Sequence, residues 1–534
     1  MDHQPPPIRQ QVTSPGTQPA IPQKSTSGKA IAAFILSLAG IFIVPCVVVA
    51  IVLGHVARSE IRKHHHLKGK GLATAALIIG YIYVACICII TIAAVGHLAG
   101  LYGDYKKEQA SIPKIPVAEL SFEDPGLNTC VQQAIQHGFF GTPHEFSSDI
   151  SYLTCDESGA MIKSLKGIDQ LTELNELTIG YTKLADLSPL KGLKKLRRLE
   201  LNSVEIEGTA DLTALPDSLT DLKITESTIG DLAALSNQNH IEILDLTNCR
   251  IEDISFLSNM TNLLELSLDE NKIKDISALK NLTKLLRLSL NANAIEDISA
   301  VSSMPKLHTL FVSNNQISSI APLSGLSQIT ELHLSQNQIA DLSPLANHLQ
   351  LKRLGLSNNN VTSLEPLSQL SSLSNLDLRE NKVKETASLG ALSQMRYLWL
   401  SRNRIEDLSG LAGMSKLDLL NLESNQVVDL SSLANLKKIR DLNLNKNRIV
   451  DILPLRNLVT LEKLQLAENR IEQVGSLSAL VKLRDLNLRN NPITDIAILE
   501  PLAKISINVY GNDNIPCDQL DLFQRAFRPK QCRK

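Results

Sequence analysis

Aromatic side chains are scarce in this chain: they account for 4% of its 534 residues and include one tryptophan. Such a composition argues against a core of interlocking rings and for thin stacked layers of aliphatic side chains. An excess of charge of one sign is missing too. The formal net charge is −2 and no long basic block interrupts the sequence. Phosphate neutralisation needs a concentrated positive face, so nucleic acid is not an expected partner. The sequence has no Gly-x-Ser-x-Gly elbow, phosphate-binding loop or paired metal-ligand spacing. Neither an enzyme nor a bound cofactor or metal is therefore expected. A chain this long exceeds one ordinary core, which leaves several domains or a repeat array.

Residues 1–28 are rich in Pro, Gln, Ser and Thr and hold almost no large apolar side chains. Such a tail cannot bury enough surface to offset its ordering entropy and should be disordered. Two apolar runs follow, at about 30–56 and 72–98. Each exceeds the ~20 residues that cross a bilayer core. The first is too long for a cleaved signal peptide and leads into a second apolar run instead of a polar mature start. Two wholly apolar helices of this length are uncommon in a soluble core. Residues 29–99 therefore read as an all-α two-helix transmembrane hairpin with a connector at 57–71, followed by a linker at 100–118. The connector carries Arg58, Arg62, Lys63, Lys68 and Lys70 against Glu60 alone. Outside it stand Lys24, Lys29, Lys106 and Lys107. The positive-inside rule then puts the connector in the cytoplasm and both ends of the hairpin, with everything after residue 98, outside it. His64, His65 and His66 cannot all face one ion from a regular element and have no acidic or Cys partner nearby, so they read as linker.

The segment Gly54-His55-Val56-Ala57-Arg58-Ser59-Glu60-Ile61-Arg62, with Lys70-Gly71-Leu72-Ala73 and Gly80-Tyr81, resembles a bacterial two-helix hairpin family of unknown function. The resemblance covers about 29–95. It implies anchoring in a bilayer and no chemistry.

From about 150 to 510 one pattern returns every 22 residues, as in Leu266-x-Leu268-x-x-Asn271-x-Ile273-x-x-Ile276-x-x-Leu279-x-x-Leu282-x-x-Leu285. Asn271, Asn293, Asn315, Asn337, Asn359, Asn381, Asn403, Asn425, Asn447, Asn469 and Asn491 hold one frame without an insertion. Thr182, Val204, Ser227 and Cys249 fill that position earlier, and Asn512 ends the array after a shorter repeat. The pattern resembles a leucine-rich-repeat solenoid of the bacterial internalin type. The fold expected is an α/β solenoid at 150–511, with short parallel strands on the concave face and 3₁₀ or extended segments on the convex face. Leu-x-Leu has the period of a strand, and Ile-x-x-Leu-x-x-Leu suits 3₁₀ turns. About seven apolar positions per repeat must stack on those of neighbouring repeats. An Asn column can donate and accept at once, satisfying backbone groups at the bend. Cys249, in that column, reads as a buried thiol and not a nucleophile. Asp253, Asp275, Asp297, Asp341, Asp407, Asp429, Asp451 and Asp495 recur at one frame position, where they suit a turn and not a pair of catalytic carboxylates.

Both ends of a solenoid need caps. At 119–149, Asp124 and Pro125 start a short helix with Leu127, Val131 and Ile135 on one stripe. At 512–534, Leu520, Phe523 and Phe527 are expected to close the last repeat. Cys130 with Cys155, and Cys517 with Cys532, look like one staple for each cap, which requires an oxidising compartment. The alternative is a set of reduced thiols in a cytosolic solenoid. Cys46, Cys86 and Cys88 fall in the apolar runs and read as packing residues.

On the concave face the outward residues lie six, four, two and one before the Asn position, and equivalents form columns at the ~4.8 Å strand spacing. Most hold Asn, Ser, Asp, Glu and Lys. Phe311, His333, Tyr397 and Trp399 are exceptions, with Arg353, Arg379 and Arg402 between or beside them. Exposed Trp and Tyr among Arg have the composition of a protein-binding hot spot. One column carries Asn421, Asn443, Gln465, Asn487 and Asn508 in succession, suited to a glycan or peptide and equally to a solvated strand face. The expected function is that of a receptor, adhesin or scaffold in the bacterial cell membrane, multi-pass, with its solenoid in the periplasm or at the cell surface. A protein or glycan ligand and the lipid bilayer are its expected partners. The alternative is a membrane-tethered regulatory scaffold facing the cytoplasm.

Overall fold

The computed structural model describes residues 115–137, 143–156, 161–206, 212–523, 525–529 and 532. The tail, the hairpin with its connector and nearly all of the linker lie outside the described residues. Among those described, no helix is long and apolar enough to cross a membrane.

Short strands stack in parallel, each paired with the strand of the next repeat. Leu354, for example, sits opposite Leu332 on one side and Leu376 on the other. In the regular half each strand is three residues long, such as Glu265–Ser267, Arg353–Gly355 and Tyr397–Trp399. The irregular early repeats form longer strands, Glu176–Leu184 and Arg198–Ile206. On the opposite side run 3₁₀ segments, among them Ser277–Asn281, Ala321–Leu323 and Glu365–Leu367. The Asp that precedes many of these segments anchors the turn: Asp275 Oδ1 accepts the Ser277 amide at 2.8 Å and Oδ2 the Ser277 hydroxyl at 3.0 Å. Asp253, Asp297, Asp341, Asp407, Asp429, Asp451 and Asp495 accept the amide two residues on in the same way.

Within a repeat the apolar frame is fully used. Leu266, Leu268, Ile273, Ile276, Leu279, Leu282 and Leu285 are all buried. The bend after the strand is held by asparagine. Asn381 Nδ2 donates to the carbonyls of Leu356, Leu378 and Arg379 at 2.8, 3.1 and 3.2 Å, while its Oδ1 accepts the Val361 amide at 2.9 Å. Leu356 O also accepts from Asn359, so successive asparagines interlock. In the early repeats the column changes chemistry but stays buried. Thr182 donates to the Ile162 carbonyl, Ser227 accepts the Val204 amide, and Cys249 Sγ donates to Ile224 O at 3.0 Å. Burial pushes the Cys249 thiol up to about 11, so it remains protonated and is a poor nucleophile. The residue just before each regular Asn is left-handed, at φ 56° for Glu270, 54° for Ala292 and 55° for Arg402. Glu, Ala and Arg are not the residues that favour that region, which is why the bend is invisible in local sequence.

In the regular repeats two polar residues occupy apolar columns. Thr386 stands where neighbouring repeats have Leu364 and Leu408, is wholly buried, and donates its Oγ1 to Asp407 O at 3.0 Å. The next turn comes so close that a Cβ on Gly410 would lie 1.8 Å from the Thr386 carbonyl oxygen, which accounts for glycine there. His348 takes the place of Leu326 and Leu370, is fully buried, and has no hydrogen-bond partner on either ring nitrogen. Burial lowers its proton affinity in the folded state. Above the usual His value of 6.5 both states are neutral and the group adds no pH dependence. As pH falls through 6.5 the unfolded chain gains a proton that the folded one resists, so stability drops. His348→Leu is expected to raise stability by about 1–3 kcal/mol and to flatten the loss between pH 7 and 5, measured by chemical denaturation at both pH values.

At the N-terminal end, the helix Pro125–His137 starts on Asp124, whose Oδ1 accepts the Leu127 amide at 2.8 Å. Its other oxygen accepts the amides of Lys163 and Ser164, tying the cap to the first repeat. Leu127, Val131 and Ile135 are buried, and a disulfide joins Cys130 to Cys155 on the first strand. At the C-terminal end the helix Cys517–Leu520 is followed by the strand Arg525–Phe527, which adds to the sheet beside Ser506–Asn508. Cys517 is bridged to Cys532. Leu520 and Phe523 seal the core, but Phe527 does not: it is 63% exposed. The added strand turns alternate side chains outward, and Phe527 follows Asn508 in an outward column, leaving Ala526 to face the core.

Candidate functional site

Outward side chains at the fourth position before Asn run in strand order Ser289, Phe311, His333, Gly355, Asp377, Trp399 and Asn421. Phe311 and His333 stack with ring centroids 4.7 Å apart, and the Arg287 guanidinium lies 4.7 Å over the Phe311 ring. Gly355 leaves room at the end of this stack: a Cβ there would approach His333 Nδ1 to 3.3 Å. Tyr397 and Trp399, on one strand, form a second aromatic pair at 6.1 Å, and Arg396 lies 5.3 Å over Tyr397. All four aromatic side chains are half-buried. The four aromatic residues thus form two clusters separated by the strands Arg353–Gly355 and Asn375–Asp377, and not one continuous patch, with Arg353 itself on the first of those strands.

The three arginines are not free cations. Arg353 pairs with Glu331 at 2.8 Å, Arg379 grips Asp377 through two bonds of 2.9 and 2.6 Å, and Arg402 pairs with Glu380 at 2.9 Å. Glu331 also bonds His333 Nε2 at 3.0 Å. Burial pushes the Glu331 carboxyl up, yet the bonds from His333 and Arg353 outweigh it and hold the group below the ordinary glutamate value. The bidentate bond to Asp377 likewise raises Arg379. These pairs are exposed and contribute little to stability. They fix the orientation of the planar groups around the aromatic rings. Arg287, Glu331, Asp377, Glu380 and Arg396 were not evident as site residues in the sequence, although Glu331 and Glu380 stand one repeat, 22 residues, before Arg353 and Arg402.

The amide column is partly consumed by the protein itself. Asn487 Nδ2 donates to Gln465 Oε1 at 3.0 Å, Gln465 donates to Asp485, and Asn443 donates to Glu423. Asn421, Asn443, Asn487 and Asn508 each accept the backbone amide two residues on. Near the early repeats a hollow of about 350 Å³ is lined by Asp221, Asp245, Glu265 and Asp269 with Arg198 and Arg287. Among the described residues no group of three or more His, Cys, Asp or Glu is placed to hold a metal ion.

Leucine-rich repeats match the chain in pairs at 239–281, 305–347, 393–435 and 459–504. A domain of unknown function, DUF4190, matches 29–90. No curated protein matches the chain. Among solved structures, a leucine-rich-repeat protein from Leptospira interrogans is similar at 20% identity over 75% of this chain and 98% of its own, with a TM-score of 0.51. A plant peptide hormone receptor, RGFR1, in complex with RGF2, is similar at 16% identity over 68% of this chain and 71% of its own, with a TM-score of 0.53. An internalin from Listeria monocytogenes is similar at 26% identity over 78% of this chain and 98% of its own, with a TM-score of 0.42. The chain carries leucine-rich repeats, and its described part is built as a leucine-rich-repeat solenoid.

Proposed function

We propose that this leucine-rich-repeat chain is a membrane-anchored protein of the bacterial cell envelope that holds a protein ligand in its concave face, as a receptor, adhesin or scaffold. The observation that carries the reading is the half-buried aromatic quartet Phe311, His333, Tyr397 and Trp399 on a face otherwise built mostly of polar and charged residues. Large rings held by stacking and by Arg287 and Arg396 lose little entropy on binding, and such groups dominate protein interfaces. The plant receptor that shares the fold is in complex with RGF2, a use of a solenoid that suits this face. The apolar runs at 30–56 and 72–98 support anchoring, and the match at 29–90 spans most of both. The basic connector and the two disulfides both favour a solenoid outside the cytoplasm.

Tyr397→Ala combined with Trp399→Ala is expected to weaken capture of the natural ligand by about 2–4 kcal/mol, or roughly 30- to 1,000-fold, with thermal unfolding changed little. Surface plasmon resonance with the full chain in detergent measures it. Unaltered capture by a folded double variant would sink the concave patch as the site.

A further inference from the structure

A second surface, on the edge of the solenoid where the chain enters the strands, concentrates positive charge that the linear sequence disperses. Lys416, Lys438, Thr460 and Lys482 occupy one frame position in successive repeats, and Arg396, Asp418, Arg440, Glu462 and Arg484 occupy the position two residues later. All but Arg484 line an open groove of about 440 Å³ with five cationic side chains and two carboxylates. Asp418 is taken up by Arg440 through bonds of 2.6 and 2.7 Å. Glu462 has Arg484 at 3.6 Å. Lys416 Nζ donates to Gln394 Oε1 at 2.6 Å, whereas Lys438 and Lys482 are exposed and form no ion pair or hydrogen bond with another described residue. The groove adjoins a smaller hollow of about 290 Å³ that shares Asp418, Arg440 and Glu462 and is walled by Tyr397. Two valines, Val459 and Val481, stand exposed beside the lysines.

We propose that this edge groove binds a linear acidic glycan whose charge is carried by carboxylates, a uronate-type polysaccharide. The lysines repeat at the strand spacing of roughly 4.8 Å, with a neutral Thr460 between Lys438 and Lys482. That charge is sparse beside duplex DNA, which carries one phosphate per ~1.7 Å of axis. Asp418 is neutralised by Arg440, while Glu462, 3.6 Å from Arg484, keeps oxygen acceptors for hydroxyl groups, which a glycan supplies on every ring. The Tyr397 ring, which walls the adjoining hollow, offers apolar surface to the C–H faces of sugars, a contact an acidic peptide backbone does not need. A row open along several repeats suits a polymer better than a compact anion. The proposal does not rest on the concave protein site, since neither Lys438 nor Lys482 belongs to it.

The test uses the full chain in detergent micelles passed over immobilised polygalacturonate, with dextran, polyglutamate and single-stranded DNA as competitors. Retention is expected, falling with added salt and displaced more weakly by polyglutamate or DNA at equal charge than by soluble polygalacturonate. Lys438→Glu with Lys482→Glu is expected to lower the affinity at least tenfold. Lys306→Glu, in the same frame position several repeats away, is expected to leave it unchanged, separating a local groove from net charge. Absence of retention, an unchanged affinity of the folded double variant, an equal loss with Lys306→Glu, or displacement by polyglutamate or DNA as effective as by the uronate polymer would overturn the proposal.

Discussion

Replacement of Asn381 by leucine is expected to lower the unfolding free energy of the solenoid by about 3–5 kcal/mol and to split one cooperative transition into two. The side chain is buried and makes four hydrogen bonds, three donated to carbonyls and one accepted from Val361 N. A leucine leaves the Val361 amide unpaired in a site closed to water. It also removes the link between Leu356 O and the following bend, where Asn359 and Asn381 share one acceptor. Stability in a repeat array is close to a sum of repeats and nearest-neighbour interfaces, so damage in the middle uncouples the two halves. Denaturant titration followed by circular dichroism measures the change. A loss below about 1 kcal/mol would mean that water or backbone rearrangement satisfies the bend without asparagine.

Reduction of the disulfides is expected to have the next largest effect. Each closes a short loop, Cys130 to Cys155 and Cys517 to Cys532, and each is worth about 3 kcal/mol by loop entropy. Their places at the two ends predict how the loss appears. The helix Pro125–His137 is held to the sheet by one bridge and by Asp124, and the last strand Arg525–Phe527 lies between the second bridge and the array. In reducing buffer, proteolysis should therefore begin at both caps and advance inward while the repeats around Asn381 stay protected. Limited proteolysis with mass spectrometry reads this directly. Cleavage starting in the central repeats would show that the caps are not the weak points.

The solenoid was legible in sequence because its physics is periodic. The Leu-x-Leu and Ile-x-x-Leu steps dictate which faces are buried, and the Asn and Asp positions declare their turn roles by recurrence. Tyr152–Cys155 as the first strand and the pairing of the four cap cysteines could be read in the same way. The exceptions escape for particular reasons. Phe527 looks like a core residue by type, but the strand it sits on turns it outward. The left-handed bend recurs at Glu270, Ala292 and Arg402, residues chosen by the frame and not by local preference. His348 and Thr386 fill apolar columns, and only the geometry distinguishes Thr386, which donates to a carbonyl, from His348, whose ring nitrogens make no hydrogen bond. For the candidate site, the columns gave the aromatic residues but not their partners: the ion pairs of Arg353 and Arg402 join residues 22 apart, and Arg379 is held within its own strand by Asp377. The positive edge escaped for the same reason, since Lys416, Lys438 and Lys482 become neighbours only when the repeats stack.

The central claim is that the concave face around the aromatic quartet carries a protein ligand. A photo-cross-linking amino acid placed at His333, in intact cells producing the full chain, tests it most directly. A protein adduct is expected at that position, lost when Trp399→Ala is added, and none when the probe stands at Ala340, exposed past the Asn turn. No adduct at His333, an equal adduct at Ala340, or an adduct at His333 indifferent to Trp399 would contradict it.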